Sequence, residues 1–257
     1  MEWFDDWRAM RYICNSSYRM TLGELPAGLE SYWRHSAPDE YKGIQTDAFF
    51  FARAAEGLMK FFYIVTLSGK PCALPSEAAD SIWHAWLRWD PAGLERFCIE
   101  HFGKAIPHVE RAGLEAGALL NSFVCCRRYE GVAFHALRLP ALFRLDVRLK
   151  MRGGHGYWNR IGSGQIVYAR LDVRGLGRRQ ASPHPELTQG ALQATGLRYP
   201  CSVGITSSGD TTSFAFVGGD ADGSSCADGG GGAGDSGCDS GSSCGSSCGG
   251  GCGGGGD

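Results

Sequence analysis

At 257 residues the chain is long enough for one large domain or two small ones, and its 43% hydrophobic and 20% charged residues are ordinary for a globular protein. The formal net charge of −2 argues against nucleic-acid binding, which needs a strongly basic face. The longest apolar stretch, residues 58–67, is too short and interrupted for a membrane span of about 20 residues. No secretory signal opens the sequence, so we expect a cytoplasmic protein with reduced thiols.

The first third of the chain predicts helices. Apolar residues at three-and-four spacing predict a helix over residues 2–19. Proline-containing turns at 25–26 and 37–39 delimit a short second helix. Residues 47–67 are apolar nearly all round, which predicts a central, buried helix.

Two later helices begin with clear capping signals. Ser76 precedes acidic residues in a first helical turn, which predicts a helix over residues 76–89. Asp90 followed by Pro91 predicts a second start, and this helix ends at Gly103. Weaker patterns predict two further helices, at 110–128 and 139–150.

From Gly153 onwards the pattern changes to a small mixed α/β appendage, which we assign to residues 153–217. Its predicted segments are a loop at 153–158, a strand at 165–173, a partly helical stretch at 182–197 and a hairpin formed by 201–206 and 211–217. With a helical domain over residues 1–152, the fold class is mainly α, a helical bundle.

Residues 218–257 form a glycine/serine/cysteine-rich tail with six aspartates and no Lys or Arg. Such a segment cannot bury enough apolar surface to fold, so it predicts disorder. Its thiols are candidate ligands for a soft metal, Zn or Cu(I), at Cys238, Cys244, Cys248 and Cys252. Incidental thiols on a flexible extension are one alternative, and covalent modification or mixed disulfides are another.

A candidate metal site lies in the helical domain. Asp80 and His84 are four residues apart, on one face of a predicted helix, and His108 follows the next helix. Two imidazoles and a carboxylate suit zinc or a related divalent metal. His101 is a further neighbouring candidate. The alternatives are a buried polar pair that orders helix packing, and a peptide-binding role.

Other motifs favour structural interpretations. Cys98 lies one turn from His101, but its apolar neighbours predict a buried structural cysteine rather than a nucleophile. The glycines at 153–156 lack the Lys-Ser/Thr of a phosphate loop and predict a plain turn. A solvated face is predicted for the basic cluster of Arg127, Arg128, Arg144, Arg148, Lys150 and Arg152.

The segment from Pro75 to His108 resembles the glycine-rich domain-containing protein-like family. The shared features are a Pro-Ser pair, an Asp three residues before a Trp-His pair, and a Phe-Gly leading to a His. Many members of that family have a second His two residues after the Trp-His pair, where this chain has Trp86. The family has no assigned activity, so the resemblance concerns the fold more than the function.

The preferred interpretation is a non-enzymatic binding or scaffold protein whose helical body docks an unidentified protein partner. The alternative is a metal-binding protein that uses either Asp80, His84 and His108 or the tail thiols. A metal-dependent enzyme ranks third. A metal site requires the two histidines to converge, an enzyme requires them on the wall of an open pocket, and a scaffold requires an exposed apolar patch.

Overall fold

Helices dominate the chain in the computed structural model, which describes residues 2–110, 113–132, 138–160 and 165–196. The α-helices are α1 (Glu2–Cys14), α2 (Arg19–Gly23), α3 (Ala27–Glu40), α4 (Ala48–Ser68), α5 (Glu77–Trp89), α6 (Pro91–Phe102), α7 (Ala118–Tyr129), α8 (Leu145–Leu149) and α9 (Gln189–Ala194). The strands are β1 (His155–Arg160), β2 (Gln165–Arg170) and β3 (Ser182–Pro183), and short 3₁₀ turns cover Leu142–Arg144 and Arg178–Gln180. This confirms a mainly helical fold.

Helix α4 is the centre of the bundle. Asp47 caps its start by accepting a hydrogen bond from the Phe50 N–H, and Gly69 ends it in a left-handed conformation. Most of its side chains are buried, and it packs against α1, α5 and α7. The predicted central, buried helix is therefore confirmed.

The capping signals of α5 and α6 are also confirmed. The Ser76 hydroxyl accepts a hydrogen bond from the Ala79 N–H, and the Asp90 carboxylate accepts one from the Gly93 N–H. Pro91 occupies the first turn of α6, and Gly103 follows the helix with a φ of 76°. These residues fix where α5 and α6 begin and where α6 ends.

Asp146, which is buried at the start of α8, joins α5 to the sheet. Its Oδ1 accepts hydrogen bonds from the Ser76 hydroxyl at 2.6 Å and the Ala78 N–H at 3.1 Å. Its Oδ2 accepts from the N–H groups of Glu77 at 2.9 Å and His155 at 2.7 Å. Burial raises the pKa of Asp146, and the hydrogen bonds oppose that rise. Both oxygens are thus occupied by donors, three of which are backbone groups.

The loop predicted over residues 153–158 is wrong from His155 onwards, where the chain forms β1. Residues His155–Arg160 pair antiparallel with β2, in a register that places Tyr157 opposite Tyr168. The glycines suggested a loop, but Tyr157 is buried against Phe143 of the neighbouring 3₁₀ turn, and this packing favours the strand. The predicted strand at β2 is confirmed, and β3 pairs antiparallel with it.

Three helix predictions had wrong bounds. The helix predicted over residues 2–19 is divided into α1 and α2 by a turn. Pro38 does not end α3, which continues to Glu40. The helix predicted from residue 110 begins at Ala118, after Gly117 with a φ of 89°. A left-handed glycine interrupts helical backbone, which explains the late start.

All described residues fall within one compact unit, Met1–Thr206. The predicted hairpin at 201–206 and 211–217 and the predicted disordered tail over 218–257 lie outside the described residues, so both stay predictions, as does the division at residues 152 and 217. Among the helices of the described ranges, none combines the length and the apolarity that crossing a membrane requires.

Candidate metal centre

An open cleft with a volume of about 1020 Å³ runs along one face of α5. Its apolar lining residues include Phe61, Val65, Leu74, Trp83, Ile106 and Leu114. Its polar lining residues include Glu40, Glu77, Asp80, His84, His108 and His155. The cleft therefore combines an apolar surface with a concentration of carboxylates and imidazoles.

The three predicted body ligands converge in this cleft. The Nε2 atoms of His84 and His108 lie 3.0 Å apart. Asp80 Oδ1 lies 3.3 Å from the His108 Nε2, and Asp80 Oδ2 lies 3.5 Å from the His84 Nε2. All three side chains are half-buried, and their ligand atoms lie within 4.8 Å of one another. The helix spacing brings Asp80 and His84 together, and the segment after α6 brings His108 to them.

These separations are short enough for one ion to be shared. With zinc–nitrogen and zinc–oxygen bonds of about 2.0–2.1 Å, neighbouring ligands of a tetrahedron lie about 3.3 Å apart. The two Nε2 atoms are 3.0 Å apart, and each imidazole lies within 3.5 Å of a different oxygen of Asp80. One ligand atom from each residue therefore lies within 4.8 Å of the other two.

A second set of residues orients His84. Its Nδ1 lies 2.6 Å from Glu40 Oε1. Because a carboxylate only accepts, the neutral imidazole carries its proton on Nδ1, which leaves the lone pair of Nε2 facing the cluster. Arg88 donates to the other oxygen of Glu40 and to the His84 carbonyl oxygen. Burial raises the pKa of Glu40, but the hydrogen bonds from His84 and Arg88 outweigh burial and lower it.

The surroundings of His108 favour charge on its ring. The hydrogen bond to Asp80 raises the pKa of His108 above its ordinary value, against partial burial. The Trp83 ring packs edge-on against it, with ring centroids 4.6 Å apart. The Tyr41 hydroxyl donates to Asp80 Oδ2 at 3.3 Å. Burial and the nearby carboxylates raise the pKa of Tyr41 far above its ordinary value, so Tyr41 remains a neutral donor.

A second polar group, which we call the Glu77–His155 pair, lies in the same cleft. Glu77 Oε1 lies 2.9 Å from His155 Nε2 and 3.2 Å from Arg170 Nη2. The other ring nitrogen of His155 lies 2.8 Å from the Tyr168 hydroxyl. The sequence analysis missed this pair, because it interpreted Glu77 only as an acidic residue in a first helical turn. Glu40 was missed as well.

The remaining candidates lie apart from the cluster. His101 pairs with Glu24 at 3.2 Å, in a group with Glu100 whose two carboxylates are exposed. Cys98 is fully buried, as predicted, and burial raises the pKa of its thiol to about 12. The solvated face predicted for the basic cluster is wrong for Arg127, which is buried and donates to the Arg138 carbonyl oxygen.

Trp86 occupies the position two residues after His84, and a histidine there is not needed for this cluster. Its side chain is fully buried and packs on Phe97 of α6, with ring centroids 4.8 Å apart. Position 86 therefore lies on the core side of α5, away from the half-buried His84. The second imidazole of the cluster comes from His108 instead.

The cluster lies inside a stretch that matches a family model. Residues 38–165 match the UCP032817-like family model. The matched residues include the three candidate ligands, the carboxylates of Glu40 and Glu77, and Asp146. Neither the curated proteins nor the solved structures contain a match to this chain.

Proposed function

We propose that the UCP032817-like domain binds a divalent transition-metal ion, with zinc as the reference case, through Asp80, His84 and His108. The observation that supports this most directly is the set of ligand separations of 3.0, 3.3 and 3.5 Å. Three protein ligands beside an open cleft are typical of metal sites that keep a fourth position for water or a substrate. Structural zinc sites use four protein ligands instead.

The main alternative is a polar cluster that only orders helix packing, as the sequence analysis also considered. In that case one proton on His108 Nε2 serves two acceptors, His84 Nε2 at 3.0 Å and Asp80 Oδ1 at 3.3 Å. A metal ion satisfies all three ligand atoms at once. The Glu40 hydrogen bond, which leaves the Nε2 lone pair of His84 available, is compatible with either an ion or the His108 proton at this position.

Zinc content of the full-length protein, measured by mass spectrometry after equilibrium dialysis under reducing conditions, tests the proposal. We expect about one zinc per chain in the wild type and a loss in His108→Gln and Asp80→Asn. His101→Gln is the matched control, because His101 also pairs with a carboxylate but lies in another group. Absence of zinc from the wild type, or its full retention in both ligand variants, contradicts the proposal.

A further variant distinguishes metal binding by the tail thiols from metal binding by Asp80, His84 and His108. Replacement of Cys238, Cys244, Cys248 and Cys252 by serine leaves the described residues unchanged. If the body holds the metal, this variant keeps it. If zinc or Cu(I) is lost from this variant alone, the tail is the metal-binding element.

A second candidate function, the predicted binding or scaffold role, is favoured by α1. Trp3, Trp7 and Met10 follow one helical face and are 78%, 47% and 64% exposed. An exposed apolar stripe on a helix suits insertion into a groove of a partner protein. Sedimentation of the full-length protein tests the simplest partner, a second copy. A dimer that Trp7→Glu converts to monomer supports self-docking, and a monomer at every concentration excludes it.

Two finer assignments accompany these proposals. The likeness to the glycine-rich domain-containing protein-like family is supported by the motif between Pro75 and His108, which lies inside the matched residues 38–165. A cytoplasmic location is supported by the five described cysteines, which are all free thiols. Fractionation of cells that express the tagged full-length protein tests the location.

A further inference from the structure

The Glu77–His155 pair has no part in holding the metal, yet it lies in the same cleft. Glu77 precedes Asp80 by three residues on α5, and residues at this spacing have Cβ atoms about 5–6 Å apart on one helical face. The Tyr41 hydroxyl donates to Asp80, and Tyr41, Glu77 and Asp80 all line the cleft. A second carboxylate therefore stands beside the candidate metal site without being one of its ligands.

Glu77 is anchored through only one of its oxygens. Oε1 contacts both His155 Nε2 and Arg170 Nη2, and both partners are donors. His155 is itself fixed, because Tyr168 contacts its other ring nitrogen and Asp146 accepts from its backbone N–H. Within the described ranges, Oε2 has no hydrogen bond. The arrangement holds the carboxylate in place and leaves one oxygen for a molecule in the cleft.

We propose, on the basis of the metal site above, that the cleft hydrolyses an ester or amide bond and that Glu77 is the general base. Glu77 Oε2 takes a proton from a water in the cleft as the water oxygen bonds to the carbonyl carbon. A metal ion held by Asp80, His84 and His108 would lower the pKa of that water and polarise the carbonyl. The carbonyl carbon then loses its bond to the alcohol oxygen or amine nitrogen, which takes the proton from Glu77. Water and substrate are consumed, an acid and an alcohol or amine are formed, and Glu77 is regenerated.

The apolar part of the cleft lining indicates the substrate class. Phe61, Val65, Leu74 and Ile106 line the same cleft as the carboxylates and imidazoles. A volume of about 1020 Å³ suits a small molecule, since ligand pockets are typically about 300–1,000 Å³. The fitting substrate is a small ester or amide whose acyl group is apolar.

The test uses the full-length protein loaded with zinc and the p-nitrophenyl esters of acetate, butyrate and octanoate. We expect kcat/KM to rise with acyl length. We expect Glu77→Gln to lower kcat by at least about 100-fold, the usual contribution of a general base, with KM and zinc content unchanged. Asp172→Asn is the matched control, because Asp172 also lines the cleft but is bonded to its own loop.

A second variant keeps the test informative if loss of the carboxylate disturbs the fold. Glu77→Ala removes the base and leaves space for a small carboxylate, so added formate is expected to restore part of its activity. A merely structural role for Glu77 predicts no such rescue.

The outcomes separate the two proposals. Zinc-loaded wild type that hydrolyses none of the esters, or a Glu77→Gln variant with unchanged kcat, overturns the hydrolytic inference and leaves the metal site intact. Wild type that binds no zinc overturns both.

Discussion

Two aspartates contact or lie on α5, and their surroundings differ. Asp146 is buried at the start of the helix, where its two oxygens accept four hydrogen bonds. Asp80 lies one turn further along, half-exposed in the cleft, where its neighbours are two imidazoles and a tyrosine hydroxyl. Asp146 meets only donors, so its bonding capacity is filled by the protein. In the cluster, one ring proton on His108 is shared between His84 Nε2 and Asp80 Oδ1, and this shortage of donors is what a cation satisfies.

The largest effect on stability is expected for Asp146, which joins α5 to the sheet. Each Asp146 oxygen has two donors, so in Asp146→Asn the amide nitrogen faces at least one backbone N–H in either orientation. We expect a loss of about 3–4 kcal/mol in the free energy of unfolding, from at least one unsatisfied buried N–H and from the weaker hydrogen bonds of a neutral amide. Urea unfolding followed by circular dichroism measures it.

Asp172→Asn is the control for that experiment. Its Oδ1 alone accepts from the N–H groups of Arg174 and Leu176, so an amide oxygen replaces it without loss. We expect a change below about 0.5 kcal/mol, the usual range for surface substitutions. Equal effects at Asp146 and Asp172 would contradict the assignment of the loss to the four hydrogen bonds of Asp146.

The next largest effect concerns zinc binding by Asp80, His84 and His108. Zinc at 100 times its dissociation constant is expected to raise the free energy of unfolding by about 2.7 kcal/mol, because it binds the folded state. The increase should vanish in His108→Gln and persist in His101→Gln. Thermal unfolding with and without zinc measures it, and a zinc response that survives in His108→Gln places the ion elsewhere.

A smaller effect is expected for the residue that orients His84. In Glu40→Gln the acceptor for the Nδ1 proton is weaker and uncharged, and zinc affinity should fall by about 10–100-fold. Competition with a chromogenic chelator measures the affinity. Glu30→Gln is the matched control on the same helix, because Glu30 pairs only with Arg34. Equal affinities in the two variants would remove Glu40 from the site.

The smallest effect is a pH dependence of opposite sign in the two metal states. The pKa of His108 is raised above 6.5 by Asp80, so in metal-free protein this pair stabilises fully below about pH 6.5 and is lost as pH rises through the higher pKa. Since both side chains are partly exposed, we expect less than about 1 kcal/mol. With zinc, protons compete with the ion, so stability should rise over the same range.

Unfolding free energies at about pH 6 and pH 8, with chelator or with zinc, check this prediction. His108→Gln should reduce both slopes. Slopes of the same sign in the two metal states would contradict the assignment of His108 as a ligand.

Features that depend on residues close together in the sequence could be predicted, and features that depend on distant residues could not. The starts of α5 and α6 were predictable because Ser76 and Asp90 bond to residues three positions away. The pairing of Asp80 with His84 is equally local, since both lie on one helix. By contrast, β1 was misread as a loop because its strand conformation depends on Tyr157 packing against Phe143.

The partners of the candidate ligands were beyond sequence reasoning for the same reason. Glu40 reaches His84 from 44 residues away, across the packing of α3 on α5. His155 reaches Glu77 only because the sheet is docked at the Asp146 junction. Nothing near Glu40 or His155 in the chain indicates these contacts. Docking of the sheet at Asp146 therefore brings the Glu77–His155 pair together in the cleft. Local sequence patterns cannot predict such a long-range contact.

The edge-on contact between Trp83 and His108 gives the cleft a built-in optical probe. Trp83 is almost fully buried, and its ring lies 4.6 Å from the imidazole between centroids. Because the two rings are in contact, we expect a change of charge at His108, by a proton or by a bound metal, to alter the Trp83 emission. Although the chain has seven tryptophans, the difference spectrum between wild type and Trp83→Phe isolates this one. Occupancy of the cleft can thus be followed in real time without any attached dye.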